Sequence, residues 1–441
     1  MKPLPTQIED AAFLAASPRL RGSMFSAPGT GKTITALEAV RVLGLTGQWV
    51  VVAPPIALRM WGANIEQYLG AKAQVIRTAK DKLDLSVDFY VVSYNMVGAF
   101  DHLRTCVGGI ADECDALKTL SSQRTKEIYG SRASGKNCLI QDMEAFFPLT
   151  GTPIRRYADD LYPWFRALHH SVLKREGITS LKEYQKAFCV TQMRRFHPRM
   201  PMKEQVIGNK NERLLHNLIY GQDYPVRRPA LAKRRLIDDV AKFMPPMVER
   251  DVDVEFDDSK ELREASNLVD FDDENEGALT TARRLLGLAK APYVALHLLD
   301  ACAEQGGAVL GLYWHREVKD ALLAAFLKAR PSAKVAVIDG RTSVAERERF
   351  EDMFNAGALD LLMGQIQSMG VSLNLQRGSS RAVFAERDWS PSSQEQGYKR
   401  LWRLGQESRV LVDYCLADHP IEEAVTSVTE RKKKSNLSII G

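Results

Sequence analysis

Cysteine is scarce in this sequence, and the cysteines that occur are widely separated. There are six: Cys106, Cys114, Cys138, Cys189, Cys302 and Cys415. None of them forms the short-spaced pairs that bind zinc in small metal modules. Scattered thiols are typical of proteins that fold in a reducing compartment. We therefore expect neither zinc sites nor disulfide bonds.

Long apolar runs are also missing. No uncharged apolar stretch reaches the length of about 20 residues that a membrane-spanning helix needs. The start of the chain, MKPLPTQIEDAAFLAASPRL, carries acids where a secretion signal would have its apolar core. We expect no membrane partner. The expected location is the cytoplasm or the nucleoid, or the host cytoplasm if the chain is viral.

Neither the length nor the composition is extreme. With 441 residues the chain exceeds one compact core, so two or three domains are expected. Hydrophobic residues make up 45% and charged residues 26%, as in ordinary globular proteins. This composition excludes a chain that is disordered over most of its length.

Charge is spread unevenly along the chain, although the net charge is only +5: one segment has few acids for its many bases, and the next has few bases. Residues 182–250 contain 15 Lys and Arg against 7 Asp and Glu, whereas residues 251–277 contain 2 against 12. The first segment suits contacts with phosphates, and the second suits an exposed connector. On charge alone, a solvated helical face explains the basic segment equally well.

Short apolar runs alternate with helical patterns in two parts of the chain, which predicts α/β lobes built on parallel sheets. The first part contains GSMFS, QWVVVAPP, DFYVVSYNMV, VGGIADE and FFPLTGTP, and the second AVLGLYW, KVAVIDG, DLLMGQI, RAVFAE and VLVDYCLA. Between them the pattern is helical, without alternating strands. We predict lobe 1 at 1–170, helical insertions with an acidic connector at 171–300, and lobe 2 with a basic tail at 301–441.

The stretch SAPGTGKT, at residues 26–33, predicts a phosphate-binding loop between a strand and a helix. Its tight turn is formed by Gly29, Thr30 and Gly31. Backbone N–H groups there can face phosphate oxygens, while Lys32 reaches the outer phosphates and Thr33 binds Mg²⁺. Ser26 stands where glycine is usual, and we expect this small residue to be tolerated.

The stretch GGIADECD ends an apolar run with two adjacent acids. At the end of a strand, Asp112 can hold Mg²⁺ through water while Glu113 orients an attacking water. Alone, such a pair is as often an exposed strand end, but the preceding phosphate loop favours catalysis. A nucleotide kinase or a metabolic ATPase would also carry both motifs.

Two arginines near the end of the chain suit a developing phosphate charge. On a helix expected from about Ser392 to Leu404, Arg400 and Arg403 share one face because they are three residues apart. Guanidinium groups supplied by a second lobe would couple hydrolysis to lobe closure. A surface cluster of ion pairs is the alternative.

Eight stretches in order resemble the motifs of superfamily 2 helicases and, within them, of Swi/Snf-type ATPases, the double-stranded DNA translocases. They are SAPGTGKT, VVAPPIALRMW, VVSYNMV, IADECDALKT, LTGTPIRR, DGRTSVAERERF, GQIQSMGVSLNLQRGSSRAVFAERDWSP and QGYKRLWRLGQ. AVLGLYWHREVKDAL further resembles the annealing-helicase subgroup, which acts on replication forks. The resemblance covers nearly the whole chain.

The resemblance implies two RecA-like lobes and a DNA-stimulated ATP hydrolase that uses Mg²⁺ and acts on duplex or branched DNA without sequence specificity. By position it assigns adenine recognition to Gln7, phosphate and metal binding to Lys32, Thr33 and Asp112, water activation to Glu113, γ-phosphate contact to Arg400 and Arg403, and nucleotide sensing to Gly370. It assigns DNA contacts to Ser93, Tyr94, Lys118, Arg341 and Thr342. For Gln7, an exposed polar residue before a helix is the alternative. We expect a monomer, with targeting left to a protein partner.

Three residues depart from the family pattern. Asp115 replaces the usual His after the acid pair, Lys399 replaces an acid, and Trp402 replaces another His. ATP hydrolysis should survive these changes, while its coupling to DNA is in doubt. Of two tryptophans able to stack on bases, we assign Trp61 to the core and leave Trp389 open.

Two other functions remain compatible with the sequence. One is a strand-separating superfamily 2 helicase acting on DNA or RNA. The other is a nucleotide-dependent switch that binds a protein partner and no nucleic acid. The basic tail, with four cations from Arg431 to Lys434, would suit nucleic acid, although such ends are more often solvated.

Overall fold

The computed structural model describes residues 2–131, 138–194, 202–222, 227–269, 276–369, 373–388 and 391–427. These residues form two compact units, with the division between Val240 and Ala241. Each unit is built on a sheet whose strands are all parallel. The predicted α/β fold with two parallel-sheet lobes is confirmed.

Unit 1 holds a sheet with the strand order β3-β4-β2-β5-β6-β1-β9 and a separate antiparallel hairpin, β7–β8. Its strands are β1 (Ser23–Met24), β2 (Trp49–Ala53), β3 (Ala73–Ile76), β4 (Phe89–Ser93), β5 (Gly108–Asp112), β6 (Ala145–Leu149), β7 (Cys189–Arg194), β8 (Lys203–Asn209) and β9 (Ala232–Lys233). Its helices are α1 (Pro5–Ala16), α2 (Lys32–Leu43), α3 (Leu58–Leu69), α4 (Gln123–Tyr129), α5 (Tyr162–Leu168), α6 (His170–Arg175), α7 (Leu181–Phe188) and α8 (Glu212–Tyr220). A short helix, α9 (Asp238–Ala241), spans the division between the units.

The central strands of unit 1 are buried on both faces. In β2, Val50 and Val52 join one apolar core, and Val51 and Ala53 join the other. Helices α1, α2 and α3 cover the second of these faces. Parallel strands covered on both faces read as continuous apolar runs, which is why WVVVA was recognisable in the sequence.

Unit 2 has the strand order β10-β15-β14-β11-β13-β12. Its strands are β10 (Met247–Asp253), β11 (Val309–Tyr313), β12 (Val335–Ile338), β13 (Leu361–Gln365), β14 (Arg381–Phe384) and β15 (Val410–Leu416). Its helices are α10 (Lys260–Asn267), α11 (Glu276–Gln305), α12 (Arg316–Ala329), α13 (Val344–Asn355) and α14 (Pro391–Tyr398).

The middle of the chain differs from the prediction of a helical segment without strands. Strands β7 to β10 lie there, with β9 pairing with β1 and β10 with β15. Both β9 and β10 are edge strands, and β10 mixes charged with apolar residues, none of which is fully buried. Residues 171–240 therefore belong to unit 1 and residues 241–300 to unit 2, instead of forming a separate insertion.

Helix α11 is the one helix of the described ranges that is long and apolar enough to cross a membrane, over Leu279–Gln305. Half of its most apolar window is buried within the protein. Its Lys290 is buried, donates to the Cys415 carbonyl oxygen at 2.7 Å and pairs with Glu422. This is the pattern of a core helix, and one such helix is weak evidence for a membrane span.

Candidate functional site

The loop between β1 and α2 has the backbone of a phosphate cradle. Gly29 and Gly31 have φ angles of 85° and 87°, which residues with side chains rarely adopt. Gly31 directly precedes α2, so the free N–H groups and positive dipole end of that helix face the loop. The Lys32 ammonium donates to the carbonyl oxygens of Ser26 at 2.8 Å and Ala27 at 3.2 Å. The cation is thereby held across the loop that would receive a phosphate.

Ser26 does more than fit the space of the usual glycine. It is buried, and its hydroxyl oxygen accepts a 3.0 Å hydrogen bond from the backbone N–H of Arg235. The Arg235 guanidinium in turn binds Asp10 of α1, with Nη2 at 2.8 Å from Oδ1, and Glu9 at 2.5 Å. A residue beyond β9 therefore ties the phosphate loop to α1. Sequence reasoning missed Arg235, because no local motif marks a contact made over such a separation.

Gln7 lies within α1 and is buried, so its interpretation as an exposed residue before a helix is wrong. Its side-chain oxygen accepts from the backbone N–H of Leu4 at 2.8 Å, and its amide nitrogen lies 3.5 Å from the Gly31 carbonyl oxygen. Gln7 thus connects α1 to the phosphate loop. Its role in adenine recognition stays a prediction.

Asp112 ends β5 and is fixed by two aromatic residues. The indole Nε1–H of Trp61 donates to its Oδ2 at 2.8 Å, and the hydroxyl of Tyr94 donates to its carbonyl oxygen at 2.6 Å. Burial, with the adjacent negative charge of Glu113, raises the pKa of Asp112 to about 6, while the charge of Lys32 opposes this rise. The predicted metal ligand is therefore a desolvated carboxylate that a cation would stabilise.

Trp61 is fully buried, which confirms its assignment to the core. Tyr94 is buried as well, and its hydroxyl is engaged by Asp112. That side chain packs inside unit 1, and the predicted contact of Tyr94 with DNA stays a prediction. Ser93 is also buried and Lys118 is half-buried, and their contacts with DNA stay predictions.

Glu113 has a strained backbone. Its φ of 50° and ψ of 54° fall in the left-handed region, where a residue other than glycine is uncommon. The Thr150 hydroxyl lies 3.2 Å from both Glu113 Oε2 and Asp115 Oδ1, and it accepts from Thr152 N–H at 3.1 Å. One hydroxyl carries one proton, so Thr150 can donate to only one of the two carboxylates at a time.

Asp115, which replaces the usual His, carries this connection further. Its buried carboxylate forms an ion pair with the guanidinium of Arg155, four residues after Gly151. Burial raises the pKa of Asp115 to about 6, against the opposing positive charge of Arg155. Because Asp115 replaces the usual His, the sequence left open how the acid-pair motif contacts the LTGTP stretch. In the structure, Thr150 and this ion pair join the two.

The residues present fit a Mg²⁺ ion bound together with a nucleotide. Thr33 in the first turn of α2 and Asp112 offer oxygen ligands, and Mg²⁺ commonly takes one or two protein oxygens and completes its shell with phosphate and water. Groups of three or more His, Cys, Asp or Glu able to hold a metal do not occur among the residues described. The donor set therefore suits a metal that arrives with its substrate.

In unit 2, Arg400 and Arg403 lie beyond the end of α14. The prediction of a helix reaching Leu404 is wrong, since the helix ends at Tyr398 and the chain continues in turns. The Arg400 carbonyl accepts from Leu375 N–H at 3.2 Å, and this contact replaces a helical hydrogen bond. The two arginines therefore do not share a helix face.

Both arginines bind the segment of the predicted motif V. Arg400 Nε donates to the Met369 carbonyl oxygen at 2.9 Å, and Arg403 Nη1 donates to the Leu373 carbonyl oxygen at 3.1 Å. These carbonyls lie on either side of residues 370–372. Gly370, like Trp389 and the basic tail at 431–434, lies outside the described residues. Contact of the two arginines with a γ-phosphate stays a prediction.

The remaining predicted residues of unit 2 are placed as follows. Thr342 accepts from the backbone N–H of Asp339 at 2.9 Å and so closes the turn after β12, while Arg341 is exposed. Lys399 pairs with Glu395 at 2.6 Å, and Trp402 donates from Nε1 to the Pro245 carbonyl oxygen at 2.9 Å. Trp402 thus packs against the residues that lead into β10.

Comparison with known proteins gives a consistent family. Residues 293–405 match the helicase conserved C-terminal domain. The mouse DNA annealing helicase and endonuclease ZRANB3 is 22% identical over 433 residues, covering 92% of this chain and 38% of the relative. The mouse DNA repair and recombination protein RAD54-like is 22% identical over 528 residues, covering 99% of this chain and 66% of the relative. The human DNA excision repair protein ERCC-6 is 32% identical over 131 residues, 29% of this chain and 8% of the relative.

Among solved structures, the Sulfolobus solfataricus SWI2/SNF2 ATPase core in complex with dsDNA matches with 15% identity and a TM-score of 0.44, covering 98% of this chain and 92% of the other. The chain spans about two fifths of the length of the ZRANB3 relatives from mouse and human. The domain match and the alignments along the chain support a helicase-like protein of superfamily 2. They agree with the Swi/Snf type that the motif order predicts.

Proposed function

We propose that this protein hydrolyses ATP in unit 1 and uses the energy to move along and remodel duplex or branched DNA without reading its sequence. The observation that carries the proposal is the position of Glu113, held by Thr150 at the end of β5, in the same unit as the phosphate loop with Lys32 across it. Phosphoryl transfer to water requires at least a phosphate-binding loop and a carboxylate that orients the attacking water.

The residues of unit 1 divide the work of hydrolysis. When a triphosphate enters the loop, the Lys32 ammonium exchanges its two carbonyl acceptors for phosphate oxygens. Glu113 holds the attacking water, and the Thr150 hydroxyl orients the Glu113 carboxylate when its proton is directed to Glu113 instead of Asp115. Mg²⁺, held by Thr33 and Asp112, would neutralise charge that develops on the phosphate oxygens. Because the loop and the acid pair are fixed by Arg235 and Trp61, little reorganisation is needed.

Two observations support DNA as the polymer on which the protein acts. Relatives that align with most of the chain are named for DNA annealing and for DNA repair and recombination. Residues 182–250 carry a surplus of cations, as expected for contacts with a sugar-phosphate backbone. Cationic contacts of this kind position a protein without conferring sequence preference. The surplus therefore suits a sequence-independent translocase.

The test is the steady-state rate of ATP hydrolysis by the full chain without polymer and with linear duplex, forked duplex, single-stranded DNA and RNA. We expect duplex and forked DNA to stimulate strongly, and stimulation to fall steeply with salt because counterions are released on binding. A preference for single strands or RNA, with robust unwinding, would instead indicate a strand-separating helicase. Hydrolysis that is indifferent to every polymer would indicate a nucleotide switch for a protein partner.

A further inference from the structure

The β7–β8 hairpin exposes large apolar side chains on a narrow ribbon. Of the twelve large hydrophobic residues that are exposed in the described residues, four lie within this short segment: Val190, Met193, Met202 and Ile207. Two antiparallel strands alone do not form a core that could shelter such residues. A concentration of apolar side chains in so small an element marks a contact surface.

The hairpin is firmly mounted at one end and projects at the other. Its first residue, Cys189, is 1% exposed, whereas Met193 near its outer end is 52% exposed. The base follows α7, whose Tyr184 and Phe188 are fully buried with ring centroids 4.9 Å apart. Asn211 adds a 2.7 Å bond from its side-chain amide to the Ala187 carbonyl oxygen. The ribbon therefore extends from a rigid support.

That support is the segment that follows LTGTP. Asn209, the last residue of β8, accepts from the backbone N–H of Ala158 at 2.8 Å, and the Tyr184 hydroxyl donates to the Ala158 carbonyl oxygen at 3.2 Å. Asp160 of the same segment accepts from the backbone N–H of Arg155 at 2.9 Å. Arg155 pairs with Asp115, so hydrogen bonds and ion pairs lead from the hairpin base to the acid pair.

The sequence around the hairpin is basic. Residues 182–213 contain eight Lys and Arg against three Asp and Glu. Lys203 and Lys210, at the two ends of β8, are both exposed. Cations beside exposed methionines suit a nucleic acid better than an apolar protein surface, because proteins that deform DNA combine phosphate contacts with apolar wedges such as Met and Ile inserted at base steps. A two-stranded ribbon also has the width that a DNA groove admits.

We propose that the β7–β8 hairpin contacts branched DNA at its junction, with Met193 and Met202 against the exposed face of a terminal base pair and the neighbouring lysines on phosphates. This rests on the proposed DNA-dependent ATPase. Because the hairpin base is bonded to the segment after LTGTP, a change in the hydrogen bonds of Thr150 during hydrolysis is transmitted to the hairpin. The hairpin thereby adds remodelling of junctions to movement along duplex DNA.

The first experiment follows methionine oxidation by dilute peroxide in the full chain, with half-buried Met60 of α3 as the internal reference. Forked DNA should protect Met193 and Met202 more than linear duplex does, while Met60 is unchanged. If no DNA protects the two methionines, the hairpin does not contact the junction and its apolar surface is left for a protein partner.

The second experiment uses the double variant Met193→Ser with Met202→Ser, both at exposed positions, and Leu85→Ser as an exposed apolar control outside the hairpin. ATP-dependent strand exchange at a labelled fork should fall by about tenfold in the double variant, because the apolar contacts that offset unstacking are gone. Duplex-stimulated ATP hydrolysis should stay near the wild-type rate, and the control should behave as wild type.

Wild-type fork activity in the double variant would overturn the hairpin proposal while leaving the ATPase intact. Absence of stimulation by any DNA in the wild-type protein would instead overturn the proposed function itself. A parallel loss of fork activity and duplex-stimulated hydrolysis would mean that the hairpin serves general DNA binding, which also contradicts a junction-specific role.

Discussion

The indole of Trp61 donates a 2.8 Å hydrogen bond to Oδ2 of Asp112, from a position that is fully shielded from solvent. The ring packs as a core residue on α3, and its one polar atom aims the carboxylate that ends β5. One side chain thus both packs in the core and orients the Asp112 carboxylate. A buried tryptophan usually pairs its N–H group, and here the partner is the predicted metal ligand.

Replacing Trp61 by Phe should keep most of the packing and remove the hydrogen bond. We expect the Mg²⁺ concentration for half-maximal ATP hydrolysis to rise by about tenfold, as is typical when a residue that orients a metal ligand is lost. Trp49→Phe, at another buried tryptophan of unit 1, is the control and should leave the Mg²⁺ dependence unchanged. An unaltered Mg²⁺ titration in Trp61→Phe would show that Asp112 needs no such support.

The Asp115–Arg155 ion pair should act as a unit in hydrolysis. Asp115→Asn and Arg155→Gln should each lower kcat, and the double variant should be no slower than the worse single variant. A coupling energy of about 1 kcal/mol is expected for residues in direct contact. Arg156→Gln, at the exposed neighbouring arginine, serves as control. Strictly additive effects on kcat would rule out the coupling.

Ser26→Ala should raise the KM for ATP about fivefold, because losing an acceptor for a buried N–H costs on the order of 1 kcal/mol. The Arg235 N–H group would have no acceptor, and of the bonds between the phosphate loop and Arg235 only that from Ala27 N–H to the Arg235 carbonyl oxygen, at 2.9 Å, would remain. Ser17→Ala removes a buried hydroxyl that accepts from Gly22 N–H at 2.8 Å, outside the phosphate loop, and should leave KM unchanged. Equal KM values for both variants would contradict the assigned role of Ser26.

Asp413 should contribute to the stability of unit 2 in a pH-dependent way. Burial alone would raise its pKa, but hydrogen bonds from His297 and Arg250 and the charge of Arg381 outweigh burial and lower the pKa to about 2. A carboxyl whose folded pKa is below its ordinary value stabilises the fold above that ordinary value and loses the effect as pH falls through the folded pKa.

Asp413→Asn should therefore lower the free energy of unfolding of unit 2 at pH 7 by on the order of 3 kcal/mol, since the buried Arg381 would keep only the exposed Glu304 as its acidic partner. The difference from wild type should shrink between about pH 4 and pH 2. Hydrogen exchange of the β14 and β15 amides measures both effects. The exposed Asp320→Asn is the control, and a difference that stays constant down to pH 2 would argue against the ionised carboxylate.

The sequence predicted the buried strands of both sheets well, because parallel strands that are covered on both faces consist of consecutive apolar residues. Edge strands were missed for the opposite reason: β10 exposes four of its seven residues, so MVERDVD carries charges that obscure the strand pattern. The hairpin β7–β8 was missed because it belongs to neither sheet. The hairpin is held by the pairing of its two strands and by its attachment to α7. Neither feature produces an apolar pattern in the sequence.

At the site, chemical motifs revealed the residues that would touch substrate, whereas their supports were invisible in the sequence. Lys32, Asp112 and Glu113 follow from short local patterns. The roles of Arg235 and Arg155 depend on contacts across the fold, so residue type and spacing alone could not identify them. The helix predicted through Arg403 failed because backbone contacts of the motif V segment compete with continued helical hydrogen bonding.

The central claim is that ATP is hydrolysed in unit 1 under the control of DNA. Its most direct test is the turnover of ATP by wild type and by Glu113→Gln, each with and without duplex DNA, alongside nucleotide binding. The account predicts DNA-stimulated turnover in wild type, and in Glu113→Gln retained ATP binding with turnover lost in both conditions. Turnover by Glu113→Gln at the wild-type rate, or wild-type turnover that DNA does not change, would contradict it.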